Sequence, residues 1–192
     1  MRLDKKTEEK IKKQALNFIK KSGRTNWDGP HTLCAVKWMK ILISHENGNE
    51  RILIPAIYFH DTGYPKFGEK YTFHQVIAAK KNHAKNAAKN AKVSLPKLGF
   101  NKIETERITY LVANHDKHSN ITEHDRQLVF EADGLAQIDW KDAKPSFDLD
   151  NCKLFLKEYY SERKKYMKTK TGKKYMEELM LYVKEYLNNH KE

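Results

Sequence analysis

The apolar residues of this chain recur with the period of an α-helix along nearly its whole length. In residues 5 to 22, for example, Ile11, Ala15, Phe18 and Ile19 follow the spacing i, i+4, i+7 and i+8, which places them on one face. We find no convincing alternation of apolar and polar residues of the kind that marks a half-buried β-strand. The pattern therefore predicts an all-α protein.

Glycine and proline divide this pattern into eight predicted helices. Gly23 ends the first helix, Asp28-Gly29-Pro30 begins the second, and Gly172 separates the last two. The predicted helices cover residues 5–22, 28–45, 50–60, 72–92, 102–114, 122–139, 146–167 and 173–189. Short connections between so many helices predict a helical bundle, with the last two helices packed back on the others.

The length of 192 residues is enough for one domain with a real core. We divide it into a basic N-terminal helix at 1–24 that packs on the core, a helical core at 25–145, and a C-terminal helical pair at 146–192. No apolar run is long enough to span a bilayer, and the charged N-terminus leads into no apolar signal segment. The two cysteines, Cys34 and Cys152, are far apart and form no C-x-x-C motif. We expect a cytoplasmic protein that does not contact membranes.

The formal net charge of +12 is unevenly distributed. Residues 66–102 hold nine lysines and one glutamate, whereas residues 103–150 hold five basic and eleven acidic residues. A basic balance favours anionic partners such as nucleotides, phosphorylated metabolites or nucleic acid. The alternative is that the lysines only solvate exposed helix faces. The net negative charge of residues 103–150 is what a cation site requires.

The adjacent pair His60-Asp61 is the most informative local feature. It ends the apolar run 52–59 and is followed at once by Thr62-Gly63. A carboxylate joined to a core segment is costly to bury unless a cation compensates it, and a shared divalent metal would do so. The alternative is a histidine favoured by the helix dipole, followed by an aspartate in a loop.

Asp133 is a second carboxylate that we expect to be buried. It adjoins the apolar face formed by Val129, Ala132 and Ala136. Gly134 costs about 1 kcal/mol relative to alanine inside a helix, which indicates that something needs space beside it. Metal ligation would explain both residues, and a structural salt bridge would explain the buried carboxylate.

Three further histidines are candidate ligands. His31 lies on an inward helix face, His83 lies on an alanine-rich face, and His115 ends an apolar helix. Taken singly, each is more often a histidine with an ordinary hydrogen-bond partner than a metal ligand. His74 competes with His83 for assignment, and His118 competes with His115.

The ordered set of these residues resembles the HD superfamily of metal-dependent phosphohydrolases. The elements that carry the resemblance are His31, Phe59-His60-Asp61-Thr62-Gly63, His83 to Ala88, Ile108 to His115, and Glu131-Ala132-Asp133-Gly134-Leu135. The segment from Thr171 resembles the tail of a poorly characterised bacterial and archaeal branch of that superfamily. The resemblance covers about residues 27–190 and implies an all-α HD-type helical bundle that holds a divalent metal.

The resemblance also implies roles for individual residues. His31, His60, Asp61 and Asp133 would bind the first metal. His83 and His115 would either bind a second metal that shares Asp61, or contact phosphate and assist proton transfer. Asp61, His83 and His115 are thus the candidate catalytic residues. Many members of the superfamily carry a lysine just after the glycine that corresponds to Gly63, and this chain has Tyr64 there. Lys66 is therefore a candidate replacement for substrate binding, and Lys117 is a second candidate.

The expected activity is hydrolysis of a phosphate ester by a hydroxide that a bound metal activates. Mixed imidazole and carboxylate ligands suit Mn, Fe, Co, Ni or Zn, with Mg a further candidate, in one or two ions. The expected substrate is a nucleotide or another small phosphorylated metabolite, and the sequence sets no oligomeric state. Two alternatives stay open: a mixed-valent di-iron oxygenase that uses the same ligands, and a basic module that binds nucleic acid without catalysis.

Overall fold

The computed structural model describes residues 2–22, 24–68 and 71–190, and within these ranges every regular element is helical. Eight helices and short 3₁₀ turns make up the regular structure of the described residues, and loops connect them. They are α1 (Lys5–Ile19), α2 (Thr25–Glu46), α3 (Glu50–Phe59), α4 (Phe73–Ser94), α5 (Lys102–Asn114), α6 (His124–Ala136), α7 (Leu149–Leu154, continued by Phe155–Tyr160 and Ser161–Arg163) and α8 (Lys170–Asn189). The all-α helical bundle predicted from periodicity is confirmed.

Helix boundaries follow local capping. Asp4 caps α1, Asn49 caps α3, and Thr72 and Asn101 begin α4 and α5 with reciprocal capping boxes. Helix α2 begins at Thr25, three residues before the predicted start, so Pro30 lies inside it rather than in its first turn. The middle of α7, Phe155–Tyr160, is π-helical, which periodicity does not reveal.

Helix α3 is the centre of the core. Every residue from Ile52 to Phe59 is buried, and the helix packs against α1, α2, α4, α5 and α6. Helices α2 and α6 pack together, as do α4 and α5, and α8 packs on α6 and α2. This arrangement surrounds the C-terminal end of α3, where the His60-Asp61 pair follows. Among the described helices, none has the combination of length and apolarity needed to cross a membrane.

Candidate metal centre

Six histidine and aspartate side chains converge beyond the end of α3. His60 and Asp61 directly follow α3, and the other four come from α2, α4, the end of α5 and α6. All six are buried, with at most 7% of their surface exposed: His31, His60, Asp61, His83, His115 and Asp133. The structure therefore brings together all the residues that the sequence indicated as metal ligands.

One group of donor atoms surrounds Oδ2 of Asp61. His31 Nε2 lies 3.2 Å from His60 Nε2 and 3.1 Å from Asp133 Oδ1. Oδ2 of Asp61 is 3.6 Å from His31 Nε2 and 3.4 Å from His60 Nε2. Four side chains from three separate segments thus direct their donor atoms at one point.

A second group surrounds the other oxygen of the same carboxylate. His83 Nε2 lies 3.0 Å from His115 Nε2, and the two nitrogens are 3.4 and 3.5 Å from Oδ1 of Asp61. Asp61 therefore stands between the two groups, with one oxygen facing each.

The backbone fixes the protonation of three of these imidazoles. The Nδ1 atoms of His60, His83 and His115 lie 2.6, 2.8 and 2.7 Å from the carbonyl oxygens of Ile57, Lys80 and Val112, respectively. A carbonyl oxygen only accepts, so each Nδ1 carries the proton and donates it. In its neutral form, each ring therefore presents a bare lone pair at Nε2. The facing lone pairs of His83 and His115 repel one another unless a cation lies between them.

The spacing of the donor atoms matches what a metal ion requires. Two nitrogen ligands about 2.1 Å from one ion are about 3.0 Å apart at a right angle and about 3.4 Å apart at the tetrahedral angle. The separations within both groups run from 3.0 to 3.6 Å. Imidazole nitrogen and carboxylate oxygen are also the ligand types that divalent transition metals prefer. The arrangement is compatible with a divalent metal in each group.

The electrostatics of the centre favour a cation. Burial raises the pKa of Asp61, but the surrounding histidines outweigh burial and hold that pKa well below its usual range. Burial lowers the pKa of His60, but Asp61 and Asp133 outweigh it and raise the pKa to about 9. The raised pKa of His60 shows that the two aspartates favour positive charge at this point.

Gly63 lets α4 approach the centre. A Cβ atom on Gly63 would lie 2.9 Å from the carbonyl carbon of Asn86 and closer still to backbone atoms of His83 and Ala87. Only glycine allows the loop to lie so close to the α4 backbone. This close approach sets His83 against Asp61.

Asp116, which no sequence pattern singled out, lies beside the second group. Its Oδ2 is 3.2 Å from His83 Nε2, and it accepts hydrogen bonds from Lys80 Nζ at 2.8 Å and from Arg163 at 3.0 Å. Burial raises the pKa of Asp116, but the charge of Lys80 and its other neighbours lowers it far more. Its position directly after His115 was the only available signal.

Arg163, at the end of α7, forms ion pairs with Asp116 beside the second group and with Asp133 in the first. It is 2% exposed and donates to Asp133 Oδ2 at 2.8 Å and to the carbonyl of Phe130 at 2.8 Å. A Cβ atom on Gly134 would lie 3.1 Å from Arg163 Nε. The space that Gly134 leaves is therefore taken by the guanidinium of Arg163, which also forms the salt bridge with Asp133.

Glu131, the first acid of the closing element, turns away from the centre. It is fully buried and accepts hydrogen bonds from the backbone nitrogens of Lys168 and Thr169 at 2.6 and 2.9 Å. A Cβ atom on Gly172 would collide with its carboxylate. Glu131 therefore holds the N-terminal end of α8 against α6.

The competing histidines lie outside the centre. His74 is largely exposed and sits 3.5 Å from Glu158, whereas His118 packs against the rings of Phe130 and Tyr166. Between the competing candidates, the structure therefore places His83 and His115 at the centre.

A cleft opens from the centre to the surface. Arg24, Lys80, His31, Asp61 and Gln137 contribute polar groups to it. The rest of the lining is aromatic or aliphatic: Trp27, Tyr64, Phe73, Val76, Ile77, Phe147, Phe155 and Tyr159. The cations of the cleft are thus Arg24 and Lys80. Lys66 and Lys117 are exposed and do not line it.

Each cation at the cleft is held by an acid and an aromatic ring. Arg24 pairs with Asp28 at 2.5 Å and stacks over the ring of Tyr64 at 3.9 Å. Lys80 Nζ donates to Tyr159 at 2.9 Å as well as to Asp116. Burial lowers the pKa of Lys80, but Asp116 outweighs it and raises that pKa well above its usual range, so Lys80 is charged.

No protein-family model, no curated protein and no solved structure matches this chain.

Proposed function

We propose that the protein is a metal-dependent phosphohydrolase that cleaves a small phosphate ester. One observation carries the proposal: two groups of buried imidazole and carboxylate donors share the single carboxylate of Asp61 at the inner end of a cleft that also holds two cations. A cleft of this kind combines sites for metal ions with a place for an anionic substrate.

His31, His60 and Asp133 would hold one divalent transition metal, and His83 and His115 a second, with Asp61 shared by both. Bound metals of this kind lower the pKa of a coordinated water and neutralise charge on phosphoryl oxygens. The chain supports them from outside. Ile57, Lys80 and Val112 keep three imidazoles in the tautomer that leaves Nε2 free to bind.

Arg24 and Lys80 would bind the phosphate oxygens that face the cleft. Both are charged, and both are partly surrounded by aromatic rings, which strengthens an electrostatic contact by excluding water. Lys80 Nζ also donates a hydrogen bond to the Tyr159 hydroxyl, so the two groups together present donors to the oxygens of a phosphate ester. The mostly apolar walls fit an organic group such as that of a nucleotide or another small metabolite.

A second candidate is an oxygenase that uses two iron ions. The observation that favours it is the apolar lining of the cleft, which suits a carbon skeleton as well as a phosphate ester. Four imidazoles and two carboxylates are ligands that iron accepts. Tightly bound iron together with substrate-dependent uptake of oxygen would support this candidate.

The test is a screen for phosphate release from nucleotides and sugar phosphates without oxygen. Protein stripped of metal and then supplied with Mn²⁺, Co²⁺, Ni²⁺ or Mg²⁺ should release phosphate from at least one compound. Asp61→Asn should lower that rate by more than about 100-fold, because loss of even an outer-shell partner costs about 10- to 100-fold. Asp139→Asn is the matched control, since it removes a buried aspartate outside the centre and should leave the rate unchanged. Equal rates in the two variants would overturn the proposal.

A further inference from the structure

Gln137 is the one amide side chain in the cleft lining, and it touches the candidate centre. It caps the C-terminal end of α6 and is 7% exposed. Its Nε2 lies 3.1 Å from Oδ1 of Asp133. The other oxygen of this carboxylate, Oδ2, accepts a hydrogen bond from the guanidinium of Arg163 at 2.8 Å.

This contact fixes the direction of the amide. A carboxylate only accepts hydrogen bonds, so the amide atom facing Asp133 must be the nitrogen, and the carbonyl oxygen is the other end. That oxygen, Oε1, is buried and has no hydrogen-bond partner within the part of the chain that the structure describes. A buried acceptor without a partner costs about 1 to 3 kcal/mol, so a ligand that supplies a donor gains in affinity.

We propose that Gln137 selects the substrate by accepting a hydrogen bond from a hydroxyl on the organic part of the phosphate ester. This inference rests on the proposed phosphohydrolase function and deepens it. The substrate class it names is the phosphate monoester of an alcohol that carries at least one further hydroxyl, as ribose does in a nucleotide.

Two other features of the cleft agree with a neutral donor at this position. The remaining walls are mainly aromatic or aliphatic, so they hold the flat or apolar part of such a molecule. Arg24 and Lys80 are already paired with Asp28 and Asp116, so an additional cationic group on the substrate would be repelled. A hydroxyl satisfies Oε1 without adding charge.

The experiment compares matched substrates that differ only in hydroxyl groups. The first pair is adenosine 5′-monophosphate and 2′,3′-dideoxyadenosine 5′-monophosphate. The second pair is glycerol 1-phosphate and propyl phosphate. Wild-type protein should cleave the hydroxyl-bearing member of a pair with a kcat/KM about 10- to 100-fold higher, because a site built for a hydroxyl rejects the analogue that lacks it.

Two variants of Gln137 separate its two contacts. Gln137→Met and Gln137→Glu both lose the nitrogen that donates to Asp133, but only Gln137→Glu keeps an acceptor oxygen. We expect the preference to fall to about onefold in Gln137→Met and to persist in Gln137→Glu, whatever happens to the overall rate. If Gln137 had a purely structural role, its replacement would lower kcat/KM equally for both substrates of a pair.

Binding gives a second readout that needs no turnover. Calorimetry with adenosine and with 2′,3′-dideoxyadenosine should show tighter binding of adenosine to wild-type protein and equal binding to Gln137→Met. Turnover of both members at the same rate by wild-type protein would overturn the role of Gln137 while leaving the phosphohydrolase proposal intact. Absence of phosphate release from all four esters and from the wider screen would overturn both.

Discussion

Two acidic clusters in this molecule balance their negative charge in different ways. Beside the middle of α2, Asp139 and Asp142 lie near the thiol of Cys34, and Lys37 Nζ lies between the two carboxylates at 2.5 and 2.7 Å. At the end of α3, Asp61 has only imidazoles around it: no lysine or arginine nitrogen of the described residues forms an ion pair with it.

The difference shows where a metal belongs. Both clusters have the residue types and spacing of a metal site, but a lysine already neutralises the first. Its thiol is also a poor ligand, because burial raises the pKa of Cys34 and disfavours the thiolate. In the second cluster three aspartates, Asp61, Asp116 and Asp133, meet two cations, the partly buried Lys80 and the buried Arg163. That balance leaves negative charge at Asp61 for an external cation.

Arg163→Met and Lys37→Met probe the two kinds of compensation. Arg163 is almost fully buried, so its loss leaves Asp133 without its cation and removes one of the two cations that pair with Asp116. It should lower the free energy of unfolding by about 3 to 5 kcal/mol. The side chain of Lys37 is 40% exposed, so its loss should cost about 1 kcal/mol or less. Urea unfolding of both variants measures the contrast, and similar losses would show that water reaches both clusters alike.

Gly63→Ala tests whether close packing of α4 assembles the second cluster, which is the whole centre around Asp61. The new methyl group would collide with the α4 backbone and should cost about 3 kcal/mol in the free energy of unfolding. Gly29→Ala is the control, because a Cβ atom there has open space and alanine favours the helix by up to about 1 kcal/mol. Thermal denaturation compares the two, and a neutral Gly63→Ala would show that the loop can move away from α4.

Metal removal should destabilise the protein through the second cluster alone. A ligand at about 100 times its dissociation constant stabilises the folded state by about 2.7 kcal/mol, which corresponds to a fall in Tm of about 5 to 10 °C on chelation. Asp61→Asn should abolish the effect of the chelator, whereas Asp139→Asn should retain it. Differential scanning calorimetry with and without chelator measures the fall in Tm. Loss of the effect in Asp139→Asn would indicate that the metal binds at the cluster around Asp139 and not around Asp61.

The first cluster should show its own dependence on pH. Burial raises the pKa of Asp139, but the hydrogen bond from Lys37 and other donors outweighs burial and lowers it below the unfolded value of about 3.9. A depressed pKa contributes stability that is present above the unfolded pKa and is lost as the pH falls through the folded pKa. We expect Asp139→Asn to flatten the acid side of the stability curve by about 1 kcal/mol, measured by urea unfolding between pH 2.5 and 6. An unchanged slope would mean that Asp139 does not titrate differently in the folded and unfolded states.

The helices could be predicted because each buries a face with regular spacing. Ile11, Ala15 and Ile19 are buried in α1 at the predicted positions, and the run from Ile52 to Phe59 is buried throughout. The His60-Asp61 pair could be placed near the core for the same reason, since it continues a segment that has no polar face.

The partners of the centre could not be predicted, because they come from distant parts of the chain. Arg163 reaches Asp133 across 30 residues, and Lys80 reaches Asp116 across 36. The only trace of Arg163 in the sequence is Gly134, whose missing side chain leaves room for it. The unpartnered oxygen of Gln137 has no trace at all, since it depends on which way an amide points.

Binding of a divalent metal at the centre around Asp61 underlies both the proposed activity and the proposed role of Gln137. Elemental analysis of protein incubated with Mn²⁺, Fe²⁺, Co²⁺, Ni²⁺ or Zn²⁺ and then freed of unbound ions measures this. We predict one to two metal ions per chain in the wild-type protein and in Asp139→Asn, and far less in Asp61→Asn. A wild-type protein that keeps no metal, or an Asp61→Asn variant that keeps as much as the wild type, would contradict the account.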